Sequence, residues 1–189
     1  MEQQYKRRKG KMKKRYTLFL MLVILCIIFS GIVYGNIHSR NIEKAYLARQ
    51  EDPDTHDIES VLEYKSRYLG DNSNTINLFY HLPMYIPSEK FQIDSEKCTL
   101  KIIYAESFSD IGEEKAQKSM IYDSAAAFAL IDNLTAITYE YKDRSDTFSR
   151  TEFENLLGIP LSSVLDKTEW GEKVQGNLRN LKEKLYKTL

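Results

Sequence analysis

Apolar and polar positions divide the chain into one long apolar run followed by short periodic segments. Residues 17–34 (TLFLMLVILCIIFSGIVY) hold no charged side chain. A helix crosses a hydrocarbon core of roughly 30 Å with about twenty mostly apolar residues. The run therefore predicts a transmembrane helix at residues 17–35, bracketed by Tyr16 and Tyr34, since aromatic rings favour the headgroup level. A cleaved leader would have a shorter apolar region and a small-x-small exit site. Val33-Tyr34-Gly35 is a poor one, so a retained anchor is expected. Next, residues 41–50 (NIEKAYLARQ) favour helix, and Glu51-Asp52-Pro53-Asp54 ends it because proline disfavours helix in the residue before it. Residues 36–56 read as a polar stalk, with His38 and His56 solvated.

Beyond the stalk the periods are those of a small domain. Asp57 is an expected N-cap for a stripe of Ile58, Val61, Leu62 and Tyr68. Gly70 is expected to take a left-handed turn, and Asp71, Asn72 or Ser73 to cap a short helix carrying Ile76, Leu78, Phe79 and Leu82. Phe91 and Ile93, then Leu100, Ile102 and Tyr104, alternate with mostly polar neighbours, which predicts a hairpin turning at residues 95–98. Residues 110–118 read as a polar loop. Residues 119–133 place Ile121, Ala125, Phe128 and Ala129 on one helix face. Residues 135–141 alternate as a strand, and 143–147 read as a charged turn. Residues 150–157 form a helix with Thr151 and Glu154 as capping box, stopped by Gly158. Trp170, Val174, Leu178, Leu181, Leu185 and Leu189 mark a last amphipathic helix that docks on its own domain. The fold class is α+β: an N-terminal transmembrane helix, then at residues 57–189 one small domain with a short antiparallel sheet packed by helices.

Charge fixes an orientation for this arrangement. The first sixteen residues carry eight basic and one acidic side chain, leaving 19 basic against 26 acidic in the remainder. Basic residues flanking a span stay cytoplasmic. The expected topology is thus a cytoplasmic tail at residues 1–16 and a single-pass cell-membrane protein with its C-terminal domain extracytoplasmic. The lipid bilayer is then one partner. An acidic body disfavours nucleic acid. Gly31 and Gly35, in small-xxx-small spacing, mark a helix face through which a homodimer could form. Of the two cysteines, Cys26 falls inside the run and Cys98 at the hairpin turn, so no intrachain disulfide is expected.

Chemistry is sparse. A calcium loop starting at Asp71 would put Ile76 where glycine is required and Leu82 where a bidentate glutamate belongs. A hydrolase would need His81 as base, with Asp71 or Asp123 to orient it and Ser73 or Ser124 as nucleophile. No His-Glu-x-x-His run exists. No metal, cofactor or catalytic set is expected.

The series Tyr68-Leu69-Gly70-Asp71-Asn72-Ser73, Leu82-Pro83, the run from Asp123 to Asn133 with Phe128 and Asp132, then Thr147, Arg150-Thr151-Glu152 and Gly158 resembles a bacterial family of uncharacterised extracytoplasmic domains. The resemblance covers residues 57–165. It implies a Gram-positive setting, behind a single span or fused to membrane zinc-peptidase antirepressors that sense β-lactams. Without the zinc motif the protease activity does not transfer. What the resemblance implies is a sensor or protein-interaction domain with a protein partner, in envelope-stress or antibiotic-response signalling; a membrane-anchored envelope hydrolase is the alternative. The family-motif positions are Tyr68, Gly70, Asp71, Asn72, Ser73, Phe128, Asp132, Asn133 and Arg150, with a structural or interaction role.

Overall fold

A computed structural model describes the backbone of residues 2–83 and 87–188, and side chains within them except at residues 2–19, 22–24, 27–28 and 188. The chain divides into two compact units, residues 1–46 and 47–189.

Helix α1 runs through Glu2–Gln50 without interruption. It merges the segments that the sequence pattern separates into tail, span and most of the stalk. Among the described residues no helix is long and apolar enough to cross a membrane, which overturns the N-terminal transmembrane helix as an element of this fold. Positions 17–19, 22–24 and 27–28 of the expected run lie outside the residues whose side chains are described. A Cβ added at Gly31 or Gly35 would meet nothing within 4 Å.

In the second unit, a 3-10 helix at Ile58–Tyr64 begins at Asp57, whose carboxylate accepts from the Glu59 N–H. Helix α2, Asn72–His81, is capped by Asp71, which accepts from the Asn74 N–H at 3.1 Å. Strands β1 (Lys90–Asp94) and β2 (Thr99–Ile103) form the expected hairpin. The crossover from β2 carries α3, Phe108–Ile111, and α4, Glu113–Leu130. It returns to β3, Ala136–Glu140, which pairs parallel to β2, and β4, Ser145–Ser149, closes the order β1-β2-β3-β4. The sheet is therefore mixed, not antiparallel, because a helix between two strands returns the chain in the same direction. After α5, Arg150–Leu157, come a 3-10 turn at Leu161–Ser163, α6 at Lys167–Lys173, a 3-10 turn at Gln175–Asn177, and α7 at Leu178–Thr188.

Helix α4 is the centre of the unit. Every residue from Ser119 to Leu130 is buried, so this stretch of the helix has no solvent face, contrary to the one-sided expectation, while its first turn at Glu113–Lys115 is exposed. A helix with apolar or small residues all round is stable only when covered on all sides. Leu100, Ile102, Ile137, Tyr139 and Phe148 of the sheet are buried, and the Tyr139 hydroxyl donates to the Met120 carbonyl at 3.2 Å. Helices α2, α5 and α7 and the turn at Leu161–Ser163 also pack against α4. The opposite sheet face is polar and partly open: Lys101 pairs with Glu140 at 2.7 Å, and Thr138 with Thr147 at 2.9 Å.

Other departures have local causes. Helix α4 begins six residues earlier than expected, just after Gly112 at φ 87°; Glu113 and Glu114 in its first turn favour its positive end. The charged turn is largely strand β4, since Asp146 is buried but paired with Arg144 at 2.9 Å and the Tyr186 hydroxyl at 3.3 Å. The cap of α5 is Ser149 with Glu152 rather than Thr151 with Glu154. The last helix is broken in two around Gly176, with Trp170, Val174, Leu178, Leu181 and Leu185 still buried as expected.

Candidate interaction site

One end of the sheet, where Asp94, Thr99, Ala136 and Ser149 lie side by side across the four strands, gathers most of the motif positions. Three connections meet there: residues 66–71, the β1–β2 turn and residues 131–135. Ser66 and Ile131 form a parallel bridge, with the Ser66 N–H on the Leu130 carbonyl and the Asp132 N–H on the Ser66 carbonyl, both at 2.9 Å. The Asn133 Oδ1 accepts from the Leu69 N–H at 2.7 Å, and its Nδ2 donates to the Cys98 Sγ at 3.3 Å. One amide side chain thus joins all three connections.

Arg150 closes the junction from below. Its guanidinium donates to the carbonyls of Leu134 at 2.9 Å and Ile131 at 2.5 Å, just beyond the C-terminus of α4. A cation there meets the negative end of the helix and carbonyls left without helical partners. Arg150 also lies 5.7 Å from the ring centroid of Phe128, which is fully buried against Phe153. Burial lowers the Arg150 pKa from its ordinary value.

The loop held by these bonds presents a side chain that contributes little to the core. Leu69 is fully buried while Tyr68 beside it is 67% exposed. The backbone around Tyr68 is fixed on both sides: the Ser66 hydroxyl donates to its carbonyl at 3.1 Å, and the Thr75 hydroxyl donates to the Leu69 carbonyl at 3.3 Å. Gly70, Asp71, Asn72, Ser73 and Asp132 are exposed around it. Tyr68 and Leu62, expected in the packing stripe, are thus surface residues, because the seven-residue 3-10 helix turns only Ile58 and Val61 inward. Gly70 also departs from expectation. Positive φ among the described residues occurs at Cys98, Gly112 and Gly158, so the left-handed turn lies in the hairpin at Cys98. A Cβ at Gly70 would meet the Ser95 Oγ at an ordinary 3.5 Å.

The catalytic candidates do not converge. His81 bonds the Asn77 carbonyl of its own helix at 2.8 Å and the Tyr64 hydroxyl at 3.4 Å. Asp71 is the cap of α2, and Ser73 is exposed. Ser124 is buried on Tyr139 at 3.0 Å. Asp123 is 1% exposed, and burial raises its pKa well above the carboxylate range. Tyr104 and Tyr139 are also raised, first by burial and then by charge interactions that include Asp123.

His56 is the largest miss of the sequence reading. It is buried, not solvated: Nδ1 lies 2.8 Å from the Tyr122 hydroxyl and Nε2 3.0 Å from the His81 carbonyl. Nothing in its neighbours Thr55 and Asp57 signals this, since all its partners are distant in sequence.

Residues 61–153 match the model of a family described as a domain of unknown function (DUF4825). The match covers the sheet, α2, α4 and the start of α5, and lies within the stretch that carries the resemblance. All nine motif positions fall inside it. His56, Trp170 and α7 fall outside. No curated protein and no solved structure matches the chain.

Proposed function

We propose that residues 47–189 form a binding domain, a sensor or protein-interaction module, whose contact surface is the loop around Tyr68 with Asp71, Asn72, Ser73 and Asp132. The observation that carries this reading is the contrast within a single loop. Asn133, Ser66 and Thr75 fix the backbone by hydrogen bonds, while the tyrosine it carries is two-thirds exposed. A tyrosine held on a rigid backbone offers large contact area with little entropy to lose on binding, the property that makes tyrosine common at binding hot spots. An extracytoplasmic position and a role in envelope-stress or antibiotic-response signalling belong to this reading on the strength of the resemblance alone.

A photo-crosslinking amino acid placed at position 68 tests it in living cells, with position 80 as control, since Tyr80 is 64% exposed on α2. A discrete adduct from position 68 and none from position 80 is expected. No adduct, or the same pattern from both, contradicts the proposal.

A further inference from the structure

Outside the interaction loop, the most developed polar construction is the buried chain His56–Tyr122–Trp170. The Trp170 Nε1–H donates to the Tyr122 oxygen at 3.1 Å. A carbonyl only accepts, so the His56 Nε2 must carry a proton to bond the His81 carbonyl. In the neutral ring Nδ1 is then an acceptor, and the Tyr122 hydroxyl donates a hydrogen bond to it. Each donor meets one acceptor in a single consistent arrangement.

We propose that His56 is a proton-operated latch that holds residues 51–57, the segment following α1, against α4 and α6, and releases it on mild acidification. Protonation puts a hydrogen on Nδ1. The Tyr122 oxygen must then accept from both His56 and Trp170, and its own proton loses its acceptor in a buried site, a cost comparable to a lost hydrogen bond. The segment has further ties that do not involve the His56 ring: Gln175 Nε2 donates to the carbonyls of Pro53 and His56, each at 2.9 Å, Lys118 of α4 pairs with Asp54, and Lys167 of α6 pairs with Asp57 at 2.5 Å.

The charges facing His56 set where it switches. On its own segment Asp57 favours the protonated ring; on α2 it meets the His81 carbonyl, whose ring turns away to Asn77 and Tyr64. On α4 it meets Tyr122, with Asp123 next in sequence, and on α6 Trp170 and Lys167 flank the site. Burial outweighs the hydrogen bond to the His81 carbonyl and the charge of Asp57, and lowers the His56 pKa. His56, Trp170 and Gln175 lie outside the family match, while Tyr122 and His81 lie inside it.

Trp170 is the only tryptophan in the chain, which makes the latch readable. The emission of the full-length protein is followed from pH 8 to pH 5, with far-ultraviolet circular dichroism recorded in parallel. A red shift with a one-proton midpoint below about 6.5, at unchanged helix signal, is expected. His56→Gln, whose amide can donate to the His81 carbonyl and accept from Tyr122 without titrating, should abolish the shift. Tyr122→Phe, which removes the proton donor to Nδ1, should move the midpoint to higher pH. An emission maximum that stays constant over this range, or a shift that persists in His56→Gln, overturns the proposal. If His56→Gln does not fold, the His56 Cε1–H chemical shift of the wild-type protein decides: titration at or above about 6.5 contradicts the latch.

Discussion

Asp123 has a buried carboxyl oxygen with no hydrogen-bond partner among the described residues. A charged carboxylate there would be costly, and the raised pKa follows from burial. Because the folded protein holds this proton at pH values where the unfolded chain has released it, the contribution is fully present below about pH 4 and is lost as pH rises through the folded pKa. Urea unfolding of Asp123→Asn and wild type across pH 4 to 8 should diverge, with the variant gaining relative stability toward high pH. Parallel curves would show that Asp123 does not titrate as its burial requires. The sign for His56 is opposite: its lowered pKa leaves its contribution intact above about 6.5, lost as pH falls toward the folded value. Arg150 also has a defined cost. Arg150→Ala removes donors from two carbonyls past the end of α4 and should cost about 2–3 kcal/mol in denaturant unfolding, charged hydrogen bonds being the stronger kind. A loss below about 0.5 kcal/mol would mean that water replaces the guanidinium there. Gly70→Ala, by contrast, should be nearly neutral, since neither φ nor space excludes a methyl group.

At the level of elements, α7 should act as part of the core although it lies outside the matched segment. Leu181 is 1% exposed, so Leu181→Ala should cost about 2–5 kcal/mol, the usual range for a buried leucine, measured by urea midpoint. A cost under 1 kcal/mol would mean that α7 rests on the domain without contributing to it. The helix was legible from its spacing of apolar residues, as were the hairpin, the strand after α4 and a cap among Asp71, Asn72 and Ser73, because each depends on neighbours within a few residues. What depended on distant partners was not legible. Asp146 looked like part of a charged turn because, of the two partners that allow its burial, only Arg144 is near in sequence, while the Tyr186 hydroxyl lies forty residues on. Tyr68 looked like core because its period fits one, yet the 3-10 helix before it rotates it out. The structure divides the motif residues into those that hold the junction, Asn133, Arg150 and Phe128, and those exposed beside it.

The whole chain separates into a 46-residue first unit and a second unit that holds the sheet and its helices. Among the described residues, the buried core residues, from Ile58 to Leu185, all lie within the second. Residues 47–189 alone should therefore unfold cooperatively at a midpoint close to that of the full chain; a broad transition would show that the first unit is needed to fold the second. The central claim concerns the exposed tyrosine on its fixed loop. Its most direct test is the affinity of wild type and Tyr68→Ala for the protein crosslinked at position 68, measured by titration calorimetry at equal thermal stability. A hot-spot side chain costs at least about 2 kcal/mol when truncated, so a loss of about thirtyfold or more is predicted. Unchanged affinity in a stably folded variant would contradict the account.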